Sequence, residues 1–219
     1  MRSSPGSSYA AWALAATAAV AGATGLSAHR RDEYLQAARL GIAPGVVQLE
    51  LDLTPGIALA EAVISDIDRD RDGALSPDEQ RAYGHAVVNA LTLQIDGAPL
   101  YAQLGASSFP DLDAVRRGEG TIRLQSTAVL PRLSTGSHQL RYRNGHHRDG
   151  SVYLANALVP ASQEVAVTAQ RRDGDQTELT IDYVLRAAPA SSRAVWLMGG
   201  LAAAATLWLI VLRRSRSAG

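Results

Sequence analysis

The sequence predicts a mainly β fold, a two-layered sandwich interrupted by one helix–loop–helix and flanked by apolar terminal segments. Three observations lead to this prediction. Short runs of alternating apolar and polar residues recur between residues 34 and 186, and Gly and Pro residues separate them. An acidic stretch with amphipathic flanks occupies residues 57–90. Long apolar runs without charge lie near both ends of the chain.

The strands are predicted from these alternating runs. Residues 46–53 alternate strictly, and Pro44-Gly45 before them makes 34–43 their hairpin partner. Asp96-Gly97 predicts a second hairpin between residues 91–95 and 100–104. Further strands are predicted at 120–130, 138–143, 151–159, 164–171 and 177–186. Short strands at this spacing favour an immunoglobulin-like antiparallel β-sandwich.

The N-terminal segment has the pattern of a secretory signal peptide. Arg2 precedes an Ala-rich apolar run at residues 10–24, and small residues follow as candidate cleavage sites. Cleavage after Ala28 makes residues 1–28 the signal peptide and His29 the mature N-terminus. The alternative is an uncleaved membrane anchor.

The C-terminal segment predicts a single transmembrane helix. Residues 195–212 form an 18-residue run without charge, which spans about 27 Å as a helix. Three arginines in the tail 213–219 follow it, and this positive flank is expected to stay cytoplasmic. We therefore expect a single-pass cell-membrane protein with an extracytoplasmic domain at 29–190, periplasmic or extracellular, and a juxtamembrane linker at 191–194. A buried core helix and a cleaved sorting tag are the alternatives.

The composition excludes several classes of chemistry. All 21 basic residues are Arg, and the chain has neither Lys nor Cys. Schiff-base catalysis, disulfides, thiolate nucleophiles and cysteine-bound zinc are therefore excluded. The formal net charge of zero gives no support for nucleic-acid binding. No recognisable catalytic motif is present, so we expect a protein that is not an enzyme.

The most informative stretch is residues 68–79, Asp-Arg-Asp-Arg-Asp-Gly-Ala-Leu-Ser-Pro-Asp-Glu. Alternate carboxylates can converge on a hard cation, which prefers six to eight oxygen ligands. Gly73 permits a sharp bend, and Leu75 is an apolar residue that can pack the loop onto the core. The stretch resembles the twelve-residue loop of the EF-hand family. That resemblance implies a bound Ca²⁺ held by Asp68, Asp70, Asp72, Ala74 through its carbonyl, Ser76 through a water, and Glu79.

The flanks of the loop agree with an EF-hand at residues 57–90. Ala60, Val63, Ile64 and Ile67 form one apolar stripe on the entering helix. Ser76 and Glu79 also form a capping box, so a plain helix start within a solvated acidic turn is the alternative interpretation. Gln80 stands where the family usually has a large apolar residue. No second loop is visible, and residues 29–194 contain no Met, which favours a structural, low-affinity site over a calmodulin-like switch.

A second resemblance concerns the order of the parts. His29, then Tyr34-Leu35 in a strand, a second strand and the acidic loop from Asp68 to Glu79 resemble the extracytoplasmic N-terminal region of HupE/UreJ-type bacterial membrane proteins. The multi-span permease part of that family is absent from this chain. The resemblance therefore implies a similar fold and no transport activity.

The histidines offer a competing functional hypothesis. His138, His146, His147 and Asp149 could bind Ni, Cu or Zn, for transition-metal handling or metal-dependent catalysis. The alternative interpretation of residues 144–150 is a polar hairpin tip. A third hypothesis is an accessory module that binds a protein partner in the cell envelope.

Overall fold

The computed structural model describes residues 32–188, which form two five-stranded β-sheets and three helices. The strands are β1 (Tyr34–Ala43), β2 (Val46–Pro55), β3 (Leu91–Ile95), β4 (Ala98–Leu100), β5 (Ala102–Ser108), β6 (Ile122–Val129), β7 (Gly136–Asn144), β8 (Ser151–Ala157), β9 (Val165–Arg172) and β10 (Glu178–Leu185). The helices are α1 (Ile57–Ile67), α2 (Pro77–Asn89) and α3 (Leu112–Arg116). The prediction of a mainly β fold is confirmed. His29, the predicted signal peptide and the predicted membrane span at 195–212 lie outside the described residues.

The two sheets have the strand orders β5-β6-β2-β1-β8 and β4-β3-β7-β10-β9. Neighbouring strands pair antiparallel, with one exception, because β1 and β8 are parallel and join Tyr34 to Ser151 at one end and Leu40 to Ala157 at the other. The prediction of an antiparallel sandwich therefore fails for this one pair of strands. β8 enters the first sheet from β7 of the second sheet, so no tight hairpin to β1 imposes an antiparallel direction.

One apolar core holds the two sheets together. Inward-facing residues of β1, β2 and β6 from the first sheet share this core with inward-facing residues of β3, β7 and β10 from the second. The strict alternation predicted for 46–53 appears in β2, where buried residues alternate with partly exposed ones. Burial of one face from each sheet explains why the alternating pattern was a reliable signal.

The predicted hairpin at Asp96-Gly97 is present, but its second arm is shorter than predicted. Both turn residues have positive φ, 50° and 84°, as a two-residue hairpin turn requires. The arm β4 ends at Leu100, and after Tyr101 the chain crosses to the other sheet, where β5 pairs with β6. The prediction of one strand over 100–104 is therefore wrong, and this split contributes to the ten strands observed.

Helices α1 and α2 follow β2 and precede β3, so they occupy one end of the two sheets. β1 starts at this end, because Tyr34 pairs with Pro55 immediately before α1. The β1–β2 turn and the last described residues lie at the opposite end of the strands, since Leu185 pairs with Gly136 at the start of β7. Within residues 32–188, none of the helices combines the length and the apolarity that crossing a bilayer requires.

Candidate metal site

The two helices that hold the acidic loop begin and end where the sequence predicts. The predicted apolar stripe of α1 is buried. Ser76 is the N-cap of α2, and its hydroxyl accepts a hydrogen bond from the Glu79 amide, while the Glu79 carboxylate accepts one from the Ser76 amide at 3.0 Å. Pro77 occupies the first position of the helix, where its missing N–H has no cost. The capping box therefore exists, and it fixes Glu79 beside the loop.

Three carboxylates of the loop converge. One oxygen from each of Asp68, Asp70 and Glu79 lies within 4.8 Å of the other two. Two oxygens that both bind Ca²⁺ at 2.3–2.6 Å are separated by at most about 4.6–5.2 Å. The spacing of these oxygens therefore fits a single ion of this size.

Asp68 is the member of this cluster that the protein itself satisfies least. The residue is only 5% exposed, and it caps the C-terminal end of α1. Its Oδ2 accepts a hydrogen bond from the Gly73 amide at 3.1 Å, whereas its buried Oδ1 has no hydrogen-bond partner. A buried carboxylate oxygen without a partner costs about 1–3 kcal/mol or more. A bound cation would compensate this oxygen, which a capping box alone does not explain.

The other three predicted ligands lie on the loop but outside the three-carboxylate cluster. Asp72 is exposed, and its Oδ1 accepts a hydrogen bond from the Ala74 amide at 2.8 Å. The Ser76 hydroxyl donates to Glu79 Oε2 at 2.7 Å. Gly73 has a φ of +81°, as expected for the predicted bend. The structure thus brings together three of the six predicted ligands. The side chains of Asp72 and Ser76 and the amide of Ala74 instead form hydrogen bonds within the loop.

The pKa values of two carboxylates in the cluster, Asp70 and Glu79, shift in opposite directions. At Asp70, the Asp72 amide lowers the pKa by hydrogen bonding, but partial desolvation and the repulsion of the Asp72 and Glu79 carboxylates raise it overall. The pKa of Glu79 is lowered, first by the Ser76 hydroxyl and then by the Ser76 and Arg69 amides. Such mutual repulsion is typical of carboxylates that lie close together without a counter-ion. A bound cation would favour the charged form of Asp70 and so lower its pKa.

The loop rests on an apolar base that connects it to the sheets. Leu75 packs against the main core and against a small cluster made by α1 and α3. Gln80, which departs from the EF-hand pattern, donates to the Leu75 carbonyl at 2.9 Å and so holds the loop in place of apolar packing. The α3 helix was not predicted, because five residues are too few to show helical periodicity. Its Arg116 bridges to Glu61 on α1 at 2.9 Å.

The structure separates the histidines of the competing hypothesis. Both ring nitrogens of His138 are engaged near the β3–β4 turn, Nδ1 with Asp96 at 2.7 Å and Nε2 with the Ser134 carbonyl at 2.8 Å. His146 and His147 follow the far end of β7, about 20 Å away at 3.3 Å per residue. Within residues 32–188, no histidine belongs to a group of three or more potential metal ligands, and Asp149 belongs to none either.

His146 is not part of a solvated hairpin tip, because it is only 9% exposed. Tyr83 Oη on α2 lies 2.8 Å from Tyr34 Oη and 3.2 Å from His146 Nε2. The Asn144 side chain accepts from the His146 amide and donates to Gln36 Oε1, both at 2.9 Å. We call these five residues the tyrosine–histidine network. Burial and the neighbouring His147 lower the pKa of His146 to about 4, so it is neutral at pH 7.

The tyrosine–histidine network joins the helix pair to the sheets. Gln36 also donates to the His146 carbonyl at 3.0 Å, and His147 lies 2.8 Å from an Asp66 oxygen on α1. One feature of the sequence is a signal of the tyrosine–histidine network. Gln36 occupies an inward-facing position of β1, where a polar residue requires a buried partner.

Comparisons with protein-family models and with curated proteins give no match for this chain. The ion that the acidic loop binds is therefore inferred from the residues of the loop alone.

Proposed function

We propose that this protein is a membrane-anchored, extracytoplasmic calcium-binding module with a structural or protein-interaction role. The observation that carries the proposal is the buried, unpartnered Oδ1 of Asp68 in a cluster with Asp70 and Glu79. Residues 57–90 hold seven acidic residues and three Arg, a net charge of −4 that a divalent cation would partly neutralise.

Calcium is the ion that this donor set favours. The cluster offers carboxylate oxygens, and hard cations such as Ca²⁺ prefer oxygen ligands, whereas Ni, Cu and Zn favour imidazole or thiolate. The EF-hand interpretation adds Asp72, the Ala74 carbonyl and Ser76 through a water. These groups would reach the ion if the hydrogen bonds between neighbouring residues of the loop rearranged. For an extracellular module we expect a dissociation constant of about 10⁻⁴ to 10⁻³ M.

A structural role suits the surroundings of the site. Asp68 caps the end of α1 and Glu79 lies in the first turn of α2, so one ion would tie the two helices together. Leu75 between them packs on the core. Residues 32–188 contain no Met, unlike the Met-rich grooves that EF-hand switches expose. The ion would therefore stabilise the module rather than open a binding groove.

The remaining parts of the proposal come from the sequence patterns. The signal peptide at 1–28 and the span at 195–212 would place the domain outside the cytoplasm. We also infer an immunoglobulin-like sandwich, supported by two sheets around one core. A protein partner in the envelope would be its target, with no nucleic acid and no catalysis.

The experiment is calorimetric titration of the purified chain with Ca²⁺ and Mg²⁺. Glu79→Gln removes one carboxylate but keeps the capping box, since Gln also serves at this position. Asp78→Asn is the matched control, because it removes the same charge from an exposed neighbour that pairs with Arg81 outside the cluster. We expect saturable Ca²⁺ binding in the native chain and in Asp78→Asn, and a loss of at least about tenfold in Glu79→Gln. Absence of binding up to several times 10⁻³ M, or binding that Glu79→Gln leaves unchanged, would refute the proposal.

A further inference from the structure

The end of the sandwich opposite the acidic loop has an apolar surface. We call it the exit end, because the chain leaves the described domain there, at Ala188. It comprises the β1–β2 turn at 44–45, the segments 129–135 and 158–165, and residues 186–188, together with the adjoining Tyr101. The three large apolar side chains with the greatest exposure in residues 32–188 belong to it, namely Val159 at 93%, Tyr101 at 81% and Val129 at 77%.

These side chains border adjoining grooves rather than lying scattered. A groove of about 450 Å³ runs between the β1–β2 turn, the segment 130–133 and residues 185–188. A second, of about 490 Å³, shares Leu130 and Pro131 with the first and is lined by Tyr101 and Val129. A third, of about 580 Å³, shares Val165 and Arg186 with the first and is lined by Val159. The exposed apolar residues therefore form one continuous surface, of the kind that marks an interaction site.

The chain beyond the exit end limits how far this surface can lie from the predicted membrane span. Six residues, 189–194, separate Ala188 from the apolar run that begins at Val195. Fully extended, that connection reaches about 25 Å. If residues 195–212 span a bilayer, the exit end is the part of the domain nearest to the membrane surface.

The charges at the exit end also suit a lipid surface. Arg132 and Arg186 line the first groove together with Glu164. Neither arginine takes part in an ion pair within the part of the chain that the structure describes. Their guanidinium groups are therefore free to meet lipid phosphates, and Tyr101 is a residue type enriched at the level of the headgroups.

We propose that the exit end docks onto the bilayer, with Val159, Val129 and Tyr101 inserted at the level of the lipid headgroups. The proposal rests on the membrane anchor of the proposed function, and it adds a fixed orientation. Docking through the exit end points the acidic loop away from the membrane, where both the ion and a protein partner can reach it.

The test uses the absence of Cys from the chain, which makes single-cysteine labelling unambiguous. The full chain is labelled with an environment-sensitive fluorophore at Val159→Cys and, separately, at Val129→Cys. Leu35→Cys is the matched control, because Leu35 is an exposed apolar residue at the opposite end of the strands. Each protein is reconstituted into phosphatidylcholine–phosphatidylglycerol vesicles that carry a spin label just below the lipid headgroup. We expect quenching at positions 159 and 129 to be at least about threefold stronger than at position 35.

Flotation of the same vesicles separates the two ways in which the proposal can fail. A chain that does not float with the vesicles lacks the membrane anchor, and this result overturns docking together with that part of the proposed function. A chain that floats but shows equal quenching at positions 159 and 35 is anchored without docking, which overturns docking alone. The fluorophore at position 159 could instead report an apolar environment only when several chains share a vesicle. That result would identify a second copy of the chain as the partner, and it would also overturn the proposal.

Discussion

The acidic loop and the tyrosine–histidine network both adjoin the helix pair, the loop between α1 and α2 and the network through Tyr83 on α2, yet they satisfy their polar groups in opposite ways. The network is buried and neutral, and hydrogen bonds connect its side chains from Tyr34 to Tyr83 to His146 and from Asn144 to Gln36. The loop is mostly exposed and strongly negative, and its one deeply buried carboxylate, on Asp68, leaves an oxygen without a partner. The first arrangement is complete without a ligand, whereas the second is not.

This difference separates two sources of stability in the domain. A closed neutral network contributes at any calcium concentration, because each bond joins two groups of the protein. An acidic cluster repels itself until a cation binds, so its contribution depends on that cation. Substitutions in the two regions should therefore respond differently to calcium and to pH.

The largest effect is expected from Asn144→Ala in the network. This change removes the partners of the Gln36 side-chain oxygen and of the His146 amide, both buried. Two unsatisfied groups should lower the free energy of unfolding by about 3 kcal/mol. Chemical denaturation with and without Ca²⁺ measures it, and the loss should be the same in both conditions. Asn89→Ala, at an exposed position at the end of α2, is the control and should change stability little. A loss below about 1 kcal/mol for Asn144→Ala would show that the network is not closed as described.

A smaller effect is expected from pH, through His146. Burial lowers the pKa of His146 to about 4 in the folded protein, from an ordinary value of 6.5. Between these values the unfolded chain takes up a proton and the folded chain does not, so stability falls as the pH is lowered from 6.5 to 4. The loss should be about 2 kcal/mol at pH 5.

The comparison of the native chain with His146→Gln isolates this effect. Groups with raised pKa values, His138 and Asp70, titrate in both proteins and so cancel in the difference. His138 acts in the opposite direction, because its hydrogen bond to Asp96 raises its pKa and its contribution is lost as the pH rises. Equal pH profiles for the native chain and His146→Gln would show that His146 is accessible to protons in the folded state.

The sequence predicted the loop far better than it predicted the network. All of the features that predict the loop lie within twelve consecutive positions, namely the bend at Gly73, the cap at Ser76 and the spacing of the acidic residues. The network is assembled from hydrogen-bonded residues far apart in the sequence, such as Gln36 and His146, which are separated by 110 positions. Local turn and capping rules say nothing about contacts at that separation, so residues 144–150 looked like a solvated turn.

The same distinction applies to the fold. Alternation predicted β2, because this strand buries one face along its whole length, and the Pro44-Gly45 turn predicted β1 as its hairpin partner. It did not predict the crossing at Tyr101 or the parallel pairing of β1 with β8, because both depend on how the two sheets meet. Within the site, the sequence also could not show that Asp68 would be buried while Asp72 stays exposed, since that depends on where α1 ends against the core.

The most direct test of the account is the free energy of unfolding of the native chain and of Glu79→Gln as a function of Ca²⁺ concentration. At ten times the dissociation constant, binding to the folded state alone should add about 1.4 kcal/mol to the native chain. Glu79→Gln should show little or no gain over the same range, because the cluster has lost one of its three converging carboxylates. A native chain whose stability does not change up to about 10 mM Ca²⁺ would contradict calcium binding by this loop. Equal gains in stability for the two proteins would show that any bound ion lies elsewhere.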